Sequence, residues 1–187
     1  MDVTHLRVHP SITLIPAEAF KDREKLQHVE LPVGLLEIME GAFSGCKLLE
    51  EMELPEGLLD IGEGVFADCH SLERVDLPAT LKVIGNRAFE NNIRLSSIDL
   101  PDGMERIGRF AFSNCKVLDN MRMPPLITAI PEFAFQDCTS MFSLELPEGI
   151  NQIRSTAFSG CPSLRNIVIS SDMEGNPGSS FVACKDL

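Results

Sequence analysis

Phenylalanine recurs at positions 20, 43, 66, 89, 112, 135, 158 and 181, an unbroken spacing of 23 residues. Other columns keep the same register. A small residue precedes each Phe (Ala19, Ala42, Val65, Ala88, Ala111, Ala134, Ala157), and an isoleucine stands five before it (Ile15, Ile38, Ile61, Ile84, Ile107, Ile130, Ile153). A fixed period of this length means a solenoid, in which each unit buries its apolar face only against its neighbours.

After each Phe comes a short run such as Leu49-x-x-Met52-x-Leu54, Leu72-x-x-Val75-x-Leu77 or Leu95-x-x-Ile98-x-Leu100. Its alternation predicts a strand. Proline at 32, 55, 78, 101, 124 and 147 removes the next backbone donor and ends it. Glycine at 34, 57, 103 and 149 is expected to allow a tight turn there. Identical strands one period apart stack as a parallel sheet, and the Ile and Ala-Phe columns point inwards from a short irregular or helical return segment.

The text Leu72-Glu-Arg-Val75-Asp-Leu77-Pro78-x-x-Leu81-x-x-Ile84-Gly85-x-x-Ala88-Phe89 resembles the BspA-type leucine-rich repeat, named after bacterial surface antigens. The resemblance covers almost the whole chain and implies a leucine-rich-repeat arc with a parallel β-sheet on one face. One departure matters. The Asn/Cys position of leucine-rich repeats at large holds Leu35, Leu58 and Leu81 here, so the polar turn must be satisfied without that asparagine ladder.

Residues 1–187 are read as a single leucine-rich-repeat domain of about eight units, the last degenerate from about residue 170. Val3, Leu6 and Val8 fit the strand columns, so the chain is expected to open with a strand; Leu187 begins the next expected one. Neither end carries a polar capping unit, which implies a longer repeat array, a larger complex, or a partner covering an end.

Sixteen Lys+Arg against 28 Asp+Glu give a formal charge of −12, with 44% hydrophobic residues. That acidity argues against nucleic acid, whose phosphates need clustered bases. No window approaches the roughly 20 apolar residues of a membrane-spanning helix. The opening Met1-Asp-Val-Thr-His-Leu-Arg-Val-His-Pro10 lacks the pattern of a signal peptide. With the free thiols, this tilts the expectation slightly towards an intracellular protein, with the cell surface as the alternative.

Cys46, Cys69, Cys115, Cys138, Cys161 and Cys184 occupy one column, three after the Phe, where Asn92 takes the missing place. Parallel inward side chains are poorly placed for bridging, and zinc-type clustering is absent. The expectation is six reduced, packed thiols. His5 and His28 share an outward strand column beside Glu30, a pair more simply read as solvated than as metal ligands. No phosphate-loop, dinucleotide, serine-hydrolase or H-E-x-x-H motif occurs, so neither catalysis nor a cofactor or metal is expected.

The outward strand positions carry Glu30, Glu50, Glu51, Glu53, Glu73, Asp76, Asp99, Asp119 and Glu145 against only Arg74, Arg122 and Arg165. Glu30, Glu53, Asp76 and Asp99 form a vertical column of carboxylates, a landing surface for a basic protein. Phe142, on the same face between Asp119 and Arg165, is a candidate anchor, and Phe110 and Phe133 are a candidate exposed aromatic pair on consecutive rungs. The leading reading is a non-catalytic protein-protein interaction scaffold that binds through the strand face or an uncapped end. The alternative, implied by the resemblance, is a cell-surface adhesion or ligand-recognition domain.

Overall fold

The computed structural model describes residues 3–167 and 177–184. Residues 168–176 of the degenerate last unit, and Leu187, lie outside the described residues.

The chain winds as a parallel β-solenoid with two ladders of very short strands. The first contains β1 (His5–Arg7), β3 (His28–Glu30), β5 (Glu51–Glu53), β7 (Arg74–Asp76), β10 (Asn120–Arg122), β12 (Ser143–Glu145) and β14 (Asn166–Ile167). The second contains β2 (Leu14–Ile15), β4 (Glu37–Ile38), β6 (Asp60–Ile61), β8 (Val83–Ile84), β9 (Arg106–Ile107), β11 (Ala129–Ile130) and β13 (Gln152–Ile153). Partners lie one period apart, as in Glu51↔Arg74, Met52↔Val75 and Glu53↔Asp76. Strand period two puts Met52 inside and both glutamates outside. The return segment, expected to be irregular or helical, is this second ladder followed by turns. The helical stretch among the described residues is the 3-10 turn Pro177–Phe181.

The third wall carries the Phe column. Phe43, Phe66, Phe89, Phe112, Phe135 and Phe158 are fully buried, while Phe20 and Phe181 are partly covered. Consecutive rings stack with centroids 5.2–5.7 Å apart. Backbone bonds along this wall, such as Phe66 N–H to the Ala88 carbonyl and Phe89 N–H to that of Ala111, hold the stack in register.

The cysteine column supplies what the missing asparagine ladder would have done. Each thiol donates to a Phe carbonyl 26 residues back: Cys46 to Phe20, Cys69 to Phe43, Cys115 to Phe89, Cys138 to Phe112, Cys161 to Phe135 and Cys184 to Phe158, at 3.1–3.3 Å. Asn92 Nδ2 does the same for Phe66 at 2.8 Å. All six cysteines are free. Asn92 is fully buried and its Oδ1 has no partner, a cost a thiol avoids. Asn92→Cys is therefore expected to stabilise the fold by about 1 kcal/mol, measured by urea denaturation. A loss of stability would show that the amide does more than bond Phe66.

Two columns hold the left-handed backbone that closes each unit. Two residues before the Phe, Glu18, Gly41, Gly64, Arg87, Phe110, Phe133 and Thr156 have φ of 56–63°. Two after it, Asp22, Gly45, Asp68, Asn91, Asn114, Asp137, Gly160 and Ala183 have φ of 56–77°. The second set suits such a conformation, since glycine, asparagine and aspartate tolerate it best; Asn114 also donates to Asn91 and Asn91 to Asp68, both at 2.8 Å. The post-strand glycines are different. Of Gly34, Gly57, Gly103 and Gly149, only Gly57 has a positive φ, so that turn does not generally require glycine.

The first ladder is unpaired between β3 and β5, and both ladders are interrupted near the middle. The strand expected around Ile98 is reduced to a single bridge, Arg74↔Ser97. Among the described residues, no backbone hydrogen bond joins 95–108 to 118–131. On the second wall Pro131 removes one of these bonds: it stands where Gly85 and Gly108 donate to the Ile61 and Ile84 carbonyls, and it has no N–H. The Phe wall stays continuous there through Phe112 N–H to the Ala134 carbonyl. Leu54 and Leu100 are both buried, yet Leu54 N–H is bonded to the Asp76 carbonyl and Leu100 N–H has no backbone partner among the described residues. The Leu100 amide is expected to exchange with solvent at least about 10-fold faster than that of Leu54. Equal protection would show that the ladder is continuous in solution.

Candidate interaction surface

Alternation along the first ladder turns its flanking side chains outwards. Glu30, Glu53 and Asp99 are exposed, and Asp76 is half-buried. The column of like charges is partly neutralised. Arg7, on the rung before Glu30, pairs with it at 2.9 Å. Arg74 grips Asp76 with two bonds of 2.9 and 2.7 Å. Glu73 pairs with Arg94 at 2.8 Å, and Asp102 with Arg122 at 2.5 Å. Of the nine outward acids, Glu30, Glu73 and Asp76 are thus neutralised, while Glu53 and Asp99 in the column, and Glu50, Glu51, Asp119 and Glu145 beside it, have no ion pair among the described residues. Exposed pairs such as these add little stability, but they decide where the surface potential is strongest.

The interrupted ladder also leaves a hollow on this face. A depression of about 450 Å³ is lined by Ser97, Ile98, Asp99, Asn120, Arg122 and Glu145, among others. A smaller one of about 240 Å³ adjoins it, between Arg74, Asp76 and Asp99. Asp99 thus sits at the border of both. The strand face is not the uniformly regular surface that the repeat implies.

Phe142 stands just before β12, its amide bonded to the Asp119 carbonyl and the residue 46% exposed. Phe110 and Phe133 lie elsewhere, on the turn wall. Both are half-buried, and their rings stack at 4.6 Å. Arg87 lies over Phe110 at 4.5 Å, a cation–π contact, and Arg109 reaches Glu132 at 2.7 Å. Left-handed backbone at a bulky aromatic is uncommon; these two rings occupy the column that Gly41 and Gly64 fill earlier. They are neither part of the Phe core nor near Phe142, so the sequence candidates fall into two separate groups.

The His5 and His28 rings lie with centroids 4.7 Å apart, tilted 35° to one another. Among the described residues, no three His, Cys, Asp or Glu side chains converge as a metal site would require. The thiols are held in their neutral form. Burial pushes Cys46 up to about 11 and Cys161 up to about 12, and lifts Cys69, Cys115 and Cys138 well above the ordinary thiol value.

Among the described residues no helix is long and apolar enough to cross a membrane. No curated protein sequence matches the chain. Solved structures do. A leucine-rich repeat protein of T. pallidum is 28% identical, with TM-score 0.73 over 89% of this chain and 69% of its own. A leucine-rich cell surface protein of Faecalibacterium prausnitzii is 25% identical, with TM-score 0.59 over 97% of this chain and 65% of its own. A leucine-rich repeat protein of Eubacterium ventriosum, 21% identical, shares the fold with TM-score 0.80 over 95% of this chain and 47% of its own. The chain thus spans about half to two thirds of the length of these proteins. The model of the BspA-type leucine-rich repeat region matches residues 2–117 and again 60–187, with six copies of the repeat. On that match, together with the stacked 23-residue rungs, the chain belongs to the BspA-type leucine-rich repeat family.

Proposed function

We propose that residues 1–187 act as one non-catalytic scaffold domain that binds another protein along the strand face. The observation that carries this reading is the exposed Phe142 ring on the same face as the unpaired carboxylates of Glu53 and Asp99. Charge speeds encounter, and an aromatic anchor slows release. The partner is basic, complementary to those acids.

The test begins with whatever co-elutes with the native protein under mild purification. Against that partner, Glu53→Gln with Asp99→Asn is expected to slow association about 10-fold at low salt and flatten its salt dependence. Phe142→Ala is expected to speed dissociation by a similar factor, about 10-fold. Asp76 is a poorer choice for neutralisation, because Asp76→Asn would release Arg74 and change two charges at once. Binding that is unchanged in both variants would move the site off the strand face, to the Phe110–Phe133 wall or the ends of the solenoid.

A second reading is an adhesion or ligand-recognition domain at the cell surface, supported by the description of the Faecalibacterium prausnitzii neighbour as a cell surface protein. Labelling of intact cells with a membrane-impermeant reagent separates the two locations.

A further inference from the structure

Two adjacent early units expose aliphatic side chains on the turn after the first ladder and just before the second. Val33 is 85% exposed, Leu36 60% and Leu59 51%. Leu36 and Leu59 share a column, each one residue before a strand of the second ladder, β4 and β6. The same column continues as Lys82, Glu105, Thr128 and Asn151, all polar. Leu36 Cδ2 lies 3.6 Å from where a Cβ on Gly57 would stand, so the side chain leans across the turn of the next unit. Exposed leucine and valine on neighbouring rungs form the kind of contiguous apolar surface that marks a contact site.

On the two leucine rungs the rim of this patch is acidic. Glu37 and Asp60 directly follow the two leucines and are exposed; Glu56 stands on the intervening turn, exposed as well. The nearest base in the column, Lys82, is committed to the Gly103 carbonyl at 3.1 Å and lies 3.6 Å from Glu105. The Leu36 carbonyl, unlike those of Thr13, Leu59 and Lys82, accepts no backbone hydrogen bond among the described residues.

We propose that the patch of Val33, Leu36 and Leu59, rimmed by Glu37, Glu56 and Asp60, docks a basic amphipathic helix of a partner protein lying along the solenoid axis. The spacing suits that occupant. Successive rungs of a parallel ladder stand about 4.8 Å apart, and an α-helix advances about 5.4 Å per turn. One helical turn therefore meets one rung, so apolar residues spaced three and four apart fall on Leu36 and Leu59 in succession. Lys or Arg on the flanks of that stripe then lie over the carboxylates on either side. A second copy of this chain would bring the same acidic rim and be repelled, as would an anionic lipid surface. The site is distinct from the strand face and stands whether or not that reading holds.

The test uses the whole chain and two fluorescein-labelled helix-forming peptides of about 18 residues, a length at which an isolated helix is populated. Both contain the same Leu and Lys residues. One has its leucines on a single face, and the isomer has them scattered round the helix. At about 0.15 M salt, fluorescence anisotropy is expected to show the amphipathic peptide binding about 10-fold more tightly or better. Leu36→Ser with Leu59→Ser should raise its Kd to that of the isomer, with the thermal transition unchanged. Glu37→Gln with Asp60→Asn should weaken binding and flatten its salt dependence. Glu53→Gln with Asp99→Asn, on the strand face, should leave it alone. Equal binding of the two peptides, or no effect of the leucine variants, overturns the proposal. So does loss of binding only in the strand-face variant. Dimerisation of the free chain, or binding to anionic vesicles, that the leucine variants abolish would assign the patch to another occupant and equally overturn it.

Discussion

Phe89→Ala is expected to lower the stability of the chain by about 3–5 kcal/mol through the cavity it leaves. Phe89 is fully buried, with the Phe66 ring 5.6 Å away on one side and Phe112 5.5 Å away on the other. Those neighbours cannot collapse into the space, because Phe66 N–H is bonded to the Ala88 carbonyl and Phe112 N–H to that of Ala134. The site also holds the carbonyl that receives the Cys115 thiol. In a one-dimensional array, the loss weakens the interfaces with both adjacent units rather than one. Phe20→Ala, at a rung only partly covered, should cost clearly less. Urea denaturation of the two variants beside the parent chain checks both statements. A denaturation midpoint that hardly moves in Phe89→Ala would mean that the column carries no packing energy.

The apolar columns were legible because burial tolerates little variation. Only Phe fills the stack, and only aliphatic residues fill the Ile and Leu positions, so identity itself reports the inward direction. The cysteine column was legible as buried thiols, but its hydrogen bonds to the Phe carbonyls were not. Asn92 was the available clue: a residue in that column that only makes sense as a donor. The left-handed columns show the same contrast. Asp22, Gly45, Asp68, Asn91, Asn114, Asp137 and Gly160 share the one property of tolerating positive φ. The column of Glu18, Arg87, Phe110 and Thr156 shares no chemistry and concealed it.

The surface was harder to read, since it depends on where long side chains reach. Glu30 and Asp76 counted equally with Glu53 and Asp99 in the sequence, yet Arg7 and Arg74 neutralise the first two. The interruption between 95–108 and 118–131 has a partial signature in Pro131, which breaks the glycine run of Gly62, Gly85 and Gly108. Gly85 and Gly108 are required by close approach: a Cβ on Gly108 would stand 2.4 Å from the Asn86 nitrogen, and one on Gly85 2.7 Å from the Gly62 carbonyl carbon. Regular columns predict the interior of a solenoid well, and departures from them mark the places where its surface becomes individual.

The thiol column also makes the fold sensitive to alkali. In the unfolded chain a thiol ionises near its ordinary value, about 8.5. In the folded chain burial keeps it protonated: Cys46 up to about 11, Cys161 up to about 12, and Cys69, Cys115 and Cys138 well above the ordinary value. The folded state therefore holds more protons than the unfolded one once the pH passes about 9, and stability falls as pH rises through that window. Each such thiol contributes about 1.4 kcal/mol per pH unit, so the buried set together can exhaust a typical stability of about 5–15 kcal/mol within one or two units. Unfolding is thus expected between about pH 10 and 11. Replacing Cys69 and Cys138 by alanine removes two of these groups as well as their bonds to Phe43 and Phe112. That variant should be less stable at pH 7. Its unfolding free energy should nevertheless fall about 3 kcal/mol less per pH unit between pH 9.5 and 10.5. The slope isolates ionisation from packing, because the lost bonds and volume lower stability equally at every pH. Parallel slopes in the two proteins would mean that the thiols ionise as readily in the folded chain as in the unfolded one.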